Sequence, residues 1–479
     1  MNPWIVSKFG GTSMGDARAM QKSAEIVRKQ PHAKLVVVSA TAGTTNELLN
    51  LFHLLEKGQA IEAKEKALSI EKRHHAITLE LHCTDLEKKK IQVLYSELYQ
   101  LCAEEAWIQK TNQEPKKLAF LDQLLSLGER LSSELFTIAL SRQGIAAQCF
   151  DVRKILITDD QFGKAQPLLF EITQKSNDLF KTFRESDQIY VVQGFIGATP
   201  TGETTTLGRG GSDFTAALLA ESFDAQELQI WTDVPGIMTM DPHCVTDAQV
   251  IPKMSFAEAA ELANFGAKVI HPATIWPAVR KKIQIFVGST FEPDRGGTWI
   301  YPELSPTPLE NLRPIRAIAL RKEQTLITVT SLRMLNTHGF LAKLFGILAN
   351  HQISIDLVTT SEVSVAITID QNSLGSFGKL LVENPKFLKM IEELKKFCEV
   401  SIELDLTLVA LVGEDLTQIP HLNARTFSSI GQSRVRLVCY GASRHSLCFL
   451  VKQEEALQIA TQLHSEWISP NPLYSSERL

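Results

Sequence analysis

The apolar positions along this chain fall into two textures. In the first, short apolar runs alternate with amphipathic stretches at helical spacing. Trp4-Ile5-Val6-Ser7-Lys8-Phe9 reads as a strand closed by the turn Gly10-Gly11-Thr12-Ser13. A helix is predicted from about Asp16 to Lys29, with Met20, Ala24 and Val27 on one face. Leu35-Val36-Val37-Val38 is a continuous apolar run, as expected of a strand buried on both faces of a parallel sheet. It opens into Ser39-Ala40-Thr41-Ala42-Gly43-Thr44-Thr45-Asn46, a small-residue loop entering a helix. From Asn46 to Lys110 the pattern is helical, and its many Glu and Lys residues are expected to form a solvated face. His74, His75 and His82 have no acidic or thiolate partners at ligand spacing and read as surface histidines. A long helix follows from Lys116 to Gln143, stopped by Gly144. Strands are predicted at Ile145–Asp151, Gln188–Phe195, Leu228–Gly236 and Ile283–Val287, with a short helix at Glu258–Phe265. This β–α alternation predicts one α/β domain with a mainly parallel sheet.

The second texture begins after Pro293, Gly296, Gly297, Pro302, Pro306, Pro308 and Pro314, a density that marks a linker. Beyond it the strands shorten and a pattern repeats. Thr325–Val329 precedes a helix, then Ile355–Val358 and Val365–Ile369; Thr407–Leu411 precedes a helix, then Val435–Val438 and Leu447–Val451. Two β-α-β-β units, each continuing into a helix, predict paired ferredoxin-like modules. The expected boundaries are a first domain over 1–297, a linker over 298–314, and modules over 315–398 and 399–479, the last residues being free to return to the first module.

Composition narrows the partners. With 479 residues the chain exceeds a single core. Its 49 Lys and Arg against 54 Asp and Glu leave a net charge of −5, which argues against nucleic acid as a partner. Charged residues interrupt every apolar run short of a membrane span, and a strand so close to Met1 leaves no expected room for a leader. Seven scattered cysteines without a CxxC pair fit a reduced, cytoplasmic enzyme.

The chemistry concentrates in Thr204-Thr205-Thr206-Leu207-Gly208-Arg209-Gly210-Gly211-Ser212-Asp213, which runs into the helix-forming Phe214–Ala220. A glycine-rich loop opening a helix offers unpaired N–H groups to an anion. No Lys-Ser/Thr follows the glycines, so this is not a Walker A loop. Phosphoryl transfer needs phosphate cradles, a fixed cation, a metal ligand and an acceptor site. Gly10-Gly11 and Gly208–Gly211 supply cradles. Lys8, just before a Gly-Gly turn, can reach a γ-phosphate as a point charge. Asp213 can hold Mg²⁺, orient Lys8, or simply start the helix. Arg209 suits a substrate carboxylate as a bidentate clamp.

Four ordered motifs carry a resemblance: Lys8-Phe9-Gly10-Gly11-Thr12-Ser13, Thr204–Asp213, Trp231-Thr232-Asp233-Val234-Pro235-Gly236, and Phe265-Gly266-Ala267-Lys268-Val269-Ile270-His271-Pro272. Together they resemble aspartate kinase over essentially the whole chain, in particular its monofunctional, lysine-inhibited bacterial branch. The resemblance implies an amino-acid-kinase fold followed by two ACT regulatory modules. It implies ATP, Mg²⁺ and L-aspartate giving 4-phospho-L-aspartate, the entry step to lysine, threonine and methionine. It also implies a homodimer or dimer of dimers through the ACT modules. By the same resemblance Lys8 and Lys268 would stabilise the transferring phosphoryl group, and Asp213 would meet Mg²⁺ or Lys8. Arg209 would take the aspartate α-carboxylate and Glu129 its ammonium, with Ser39 and Thr45 completing the pocket. Gly10, Gly11, Thr232 and Asp233 would lie at the nucleotide. Met238 stands where a tyrosine is usual and His243 where an arginine is usual, both expected on the nucleotide side; the loss of a fixed cation implies weaker ATP binding.

In the regulatory half, Met334, Thr337, Phe340, Leu341, Ser354, Ile355, Asp356, Thr360, Ser361 and Glu362 resemble a lysine-binding stretch. Asp356 and Glu362 would hold the two ammonium groups and the backbone near Phe340 the carboxylate; Thr337 replaces an expected serine. The competing readings are a non-catalytic amino-acid sensor of the same fold and a kinase for another carboxylate. The first has no need of Lys8, Asp213 and Lys268; the second does not explain Glu129 with Arg209.

Overall fold

The computed structural model describes residues 4–30, 32–104, 108, 111, 113–266, 272–303, 314–334, 338–370 and 384–469. The chain forms two compact units. The first comprises Met1–Ile237, Val250–Phe256 and Lys268–Ser305; the second comprises Met238–Gln249, Ala257–Ala267 and Pro306–Leu479.

The first unit holds β1 (Ile5–Phe9), β2 (Ala33–Val38), β3 (Ala147–Phe150), β4 (Ile189–Gln193), β5 (Ile196–Ala198), β6 (Thr204–Thr206), β7 (Glu227–Thr232), β8 (Lys253–Ser255), β9 (Gln284–Ser289) and β10 (Gly297–Tyr301). Eight of these make one sheet in the order β3-β4-β2-β1-β7-β9-β10-β8. Every neighbouring pair from β3 through β9 is parallel, and only the β9–β10 pair is antiparallel. The central strands are largely buried, β2 and β4 mostly by apolar residues, while β1 and β7 also bury Ser7, Lys8 and Gln229. The helices up to β7 are α1 (Ala17–Arg28), α2 (Thr44–Glu56), α3 (Ala60–Glu80), α4 (Asp85–Cys102), α5 (Glu114–Arg142), α6 (Leu169–Glu185) and α7 (Gly211–Ser222). Phe9, Val36, Val38, Leu48, Leu51, Leu127 and Phe136 meet in one core. The predicted helix at residues 46–110 is broken twice. Gly58, at φ +73°, ends α2, and a Thr84–Glu87 capping box starts α4.

Two expectations need correction. His74 is not on the surface: it is 0% exposed, on the inner face of α3, whereas His75 and His82 are exposed. The stretch read as linker begins with strand β10, whose Thr298 and Ile300 are buried while Trp299 sits 5.0 Å from the Phe286 ring. Thr204–Thr206, which lead into the glycine-rich loop, form β6, paired in a small hairpin with β5.

The second unit has one six-stranded antiparallel sheet, ordered β12-β13-β11-β14-β16-β15. Its strands are β11 (Ala317–Thr330), β12 (Val358–Thr360), β13 (Ser364–Asp370), β14 (Glu399–Val412), β15 (Leu437–Tyr440) and β16 (Ser446–Lys452). The helices are α8 (Phe256–Asn264) and, after α9 (Pro272–Lys281) of the first unit, α10 (Phe340–Asn350), α11 (Pro385–Lys395), α12 (Leu422–Ser429) and α13 (Gln453–Trp467). The two β-α-β-β repeats are present but interleaved. Ala317–Arg321 of β11 pairs with Leu408–Val412, whereas Gln324–Thr330 pairs with Glu399–Leu406 and with β13. One core, with Ile315, Ile318, Val409 and Leu463, therefore draws on chain before residue 398, and the other, with Ile327, Phe340, Val365 and Ile402, on chain after it. Residues 470–479, and with them the question of a return to the first module, lie outside the described residues.

Candidate active site

Strands β1, β2, β4 and β7 are parallel and end at the same edge of the sheet, where open α/β folds place their ligands. The chain ends are laced together there. Gly10 N–H donates to Trp231 O (3.0 Å), Ser39 N–H to Phe9 O (3.1 Å) and Gly194 N–H to Val38 O (2.8 Å). Beyond this edge lies a cavity of about 430 Å³, lined by Lys8, Ser39, Thr45, Glu129, Phe195 and Gly208–Asp213. That size suits a small polar ligand, since ligand sites commonly span ~300–1,000 Å³.

Lys8 projects from the central strand and is only 8% exposed. A charge so buried needs a partner. Its Nζ lies 2.6 Å from Asp213 Oδ1. Asp213 is in the first turn of α7, which starts from Gly210 in a left-handed conformation, φ +76°. That conformation admits glycine without steric cost, and the first N–H of α7, on Gly211, donates back to the Gly208 carbonyl at 3.0 Å. Thr45 belongs to the first turn of α2, so two helix N-termini supply partial positive charge to one cavity. Arg209 is exposed at the wall, and among the described residues it pairs with no carboxylate.

Glu129 contributes the opposite sign. It sits in the middle of α5, 3% exposed; Oε1 accepts from Ala40 N–H at 3.2 Å, and Oε2 has no partner among the described residues. Burial pushes its carboxyl up to about 8, against the opposing hydrogen bond from Ala40. A cation entering the cavity would meet that oxygen. The cavity thus offers a guanidinium, a lysine ammonium and an underused carboxyl to one molecule, a pattern matched by a zwitterion with an additional anion.

The remaining expected residues divide. Gly10 is beside the lysine: a Cβ built there would lie 3.6 Å from Lys8 Nζ and 4.0 Å from Thr232 Oγ1. Gly11 touches the Ala40 loop. The Thr232 hydroxyl donates to the exposed Asp233 (3.2 Å). Met238 and His243 belong to the second unit, where Met240 and Val245 of the same segment enter a core. Lys268 lies outside the described residues.

In the regulatory unit Phe340 opens α10 from Gly339, φ +82°, and Leu341 is exposed. Met334 and Ile355 are half-buried against the core of Ile327 and Phe340, while Ser354, Thr360, Ser361 and Glu362 are exposed. Asp356 is paired with Arg321, Oδ1 to Nη1, at 3.0 Å. Thr337 lies outside the described residues.

Sequence reasoning passed over Asp122. It is 0% exposed on α5 and accepts from Gly163 N–H (2.9 Å), Thr206 N–H (2.8 Å) and the Thr206 hydroxyl (2.7 Å), fixing the strand that leads into the Gly208–Asp213 loop. A signal was present: Asp122 and Glu129 are seven apart, the two acids on one face of a helix whose other buried residues are apolar or small.

Residues 3–289 match the profile of the amino acid kinase family, and residues 327–376 and 409–467 that of the ACT domain. The chain is 44% identical to lysine-sensitive aspartokinase 3 of Escherichia coli, over 97% of this chain and 99% of that one. It is 32% identical to the chloroplastic aspartokinase 2 of Arabidopsis thaliana, over 98% and 85%. Among solved structures it superposes on E. coli aspartokinase III in complex with aspartate and ADP (R-state) with a TM-score of 0.83, covering 97% of this chain and 99% of that one. For the same enzyme in complex with lysine and aspartate (T-state) the TM-score is 0.77, covering 97% and 100%. With these likenesses spanning both units and the cavity residues of the first, the chain belongs to the aspartokinases of the amino acid kinase family.

Proposed function

We propose that this chain transfers the γ-phosphoryl group of ATP to the side-chain carboxylate of L-aspartate, forming 4-phospho-L-aspartate and ADP. The observation that carries the reading is the cavity in which Lys8, Arg209 and Glu129 converge. A carboxylate oxygen attacks the γ-phosphorus and the bond to the β–γ bridging oxygen breaks. The attacking carboxylate, with an ordinary pKa of ~3.9, is already ionised, so no general base is required. What remains is to hold two anions together and neutralise the charge between them. Arg209 takes the α-carboxylate, Glu129 in its ionised form takes the α-ammonium, and Ser39 and Thr45 complete the acceptor side. Lys8, held by Asp213, faces the transferring group, and Lys268 joins it by resemblance. Gly10, Gly11, Thr232 and Asp233 serve the nucleotide; the roles of Met238 and His243 there rest on resemblance alone.

Among the described residues no group of three acidic, histidine or cysteine side chains forms a metal cage. A lone carboxylate beside a phosphate site fits Mg²⁺, which is commonly held by one or two carboxylates and the phosphates of the substrate. Asp213 would be that carboxylate, and the ion would neutralise charge on the nucleotide.

Inhibition by L-lysine at the regulatory unit follows from the similarity to the lysine-sensitive enzyme. A homodimer or dimer of dimers through the ACT modules is the matching assembly. Seven free cysteines suit a reducing, cytoplasmic setting, and no described helix is long and apolar enough to cross a membrane. Hydroxylamine trapping tests the reaction. Aspartyl hydroxamate should form with ATP and aspartate, glutamate should give little, and Arg209→Ala should raise KM for aspartate at least tenfold. Equal product from glutamate would overturn the acceptor, and no product from either would favour the sensor reading.

A further inference from the structure

The loop that carries Ser39 and Thr45 is fastened from behind by groups that the transfer chemistry does not use. His74 on α3 is fully buried. Its Nδ1 lies 2.8 Å from the carbonyl of Ile70, one turn earlier on the helix. A carbonyl can only accept, so Nδ1 carries the proton and Nε2 is left as an acceptor. Nε2 lies 3.1 Å from the Thr41 hydroxyl, which therefore donates to it. The Thr44 hydroxyl then donates to Thr41. Arg73, the neighbour of His74, donates to both threonine oxygens and pairs with Glu47 at 3.3 Å. Every hydroxyl in the chain has one direction. Thr41 and Thr44 are 1% and 0% exposed, so no water can replace a lost partner.

We propose that Arg73 and His74 are positioning residues for the acceptor, locking the 39–45 loop so that Ser39 and Thr45 face aspartate in the geometry that Glu129 and Arg209 require. The proposal rests on the aspartate reading above. The opposite side of the loop is already tied to that reading, because Ala40 N–H donates to Glu129. Burial, with Arg73 adding to it, holds the His74 imidazole at about 4, so it stays neutral across the working pH range and the direction of the chain does not change. A side chain without an acceptor at Nε2 leaves the proton of the buried Thr41 hydroxyl without the acceptor that His74 gave it, although its oxygen still accepts from Thr44 and Arg73. Loss of the guanidinium takes a donor from both threonine oxygens and leaves the link held by His74 alone.

The test compares His74→Phe, His74→Gln, Arg73→Leu and the double variant His74→Phe/Thr41→Val in the full-length enzyme, with steady-state kinetics for each substrate and a thermal melt. His74→Phe and Arg73→Leu should raise KM for aspartate about tenfold while KM for ATP changes less than twofold. His74→Gln, which restores an acceptor, should return KM for aspartate to within about threefold of the parent. Adding Thr41→Val to His74→Phe should bring at most about a twofold further loss, since the link through Thr41 is already broken and Arg73 keeps Thr44 and Glu47 as partners. A merely structural role predicts that both KM values and the melting temperature move together; that result, or identical behaviour of the Phe and Gln variants, overturns the proposal. Arg73 is only part-buried, so Arg73→Leu folds even where a change at position 74 does not. Failure of the parent to form hydroxamate would sink the aspartate assignment, whereas parent turnover with unsplit KM values would remove only the positioning role.

Discussion

At the scale of single residues, Glu129 has the most measurable consequence. Its carboxyl is raised from 4.5 to about 8 by burial. A folded pKa above the unfolded one contributes stability that is complete below about 4.5 and is lost as pH rises through about 8. In the proposed reading aspartate, by contrast, needs the ionised form to receive its ammonium. Between pH 6 and 8 KM for aspartate should therefore fall, by up to about tenfold per unit, while KM for ATP stays flat. Glu129→Gln should abolish that slope and raise KM at pH 8. A parent KM independent of pH in this range would show that Glu129 is not the ammonium site. Lys8, Arg209 and Asp213 were legible as types in glycine-rich surroundings. Their meeting, and the lack of a partner for Glu129 Oε2 among the described residues, came from strands and helices far apart in the chain.

At the scale of elements, the site depends on how closely α7 approaches the end of β4. Gly194 follows β4, and a Cβ at that position would stand 2.6 Å from Ser212 Cβ and 2.8 Å from Ser212 Cα. Backbone cannot yield as a flexible side chain can. Gly194→Ala should thus destabilise the fold by about 1–3 kcal/mol, the usual cost of overpacking. It should also lower kcat, because Ser212 is covalently next to Asp213. A lowered melting temperature with parental kcat would uncouple this contact from the Lys8–Asp213 pair. Periodicity found α1, α5 and the central strands to within a few residues, since each carries a dense, regularly spaced set of apolar positions. It missed β10 because proline and glycine nearby dominate the local signal, whereas the strand forms by pairing with β9. It misread His74 because a polar side chain inside a charged helix looks solvated until its partner, Thr41, is brought to it.

At the scale of the molecule, the regulatory unit holds its own cation where an effector cation is expected. Arg321 binds Asp356 at 3.0 Å and Asp370 at 2.9 Å, and its guanidinium also donates to the carbonyl of Asn264 at 3.3 Å. Burial and the neighbouring Asp370 push the Asp356 carboxyl above its usual range, against the pull of Arg321. A lysine ammonium at Asp356 has to compete with that guanidinium. Arg321→Gln removes the guanidinium from beside Asp356, and calorimetry should show lysine binding several-fold more tightly. Unchanged or weaker binding would mean that Asp356 is a structural partner of Arg321 and not an effector ligand.

The sequence alone determined what its local periodicity can carry: a parallel α/β unit, two β-α-β-β repeats after a proline-rich stretch, and glycine-rich loops at helix starts suited to anions. Its motifs carried the family as well. Tertiary structure alone decided the rest. Which strand halves pair in the second sheet depends on register between strands some eighty residues apart, and β11 and β14 are each long enough to serve both modules. The buried Lys8–Asp213 pair, the half-satisfied Glu129 and the Arg73–His74–Thr41 chain depend on distances between side chains. Periodicity fixes which face a residue occupies, but only packing fixes what that face meets, and charge and hydrogen bonding act through that contact.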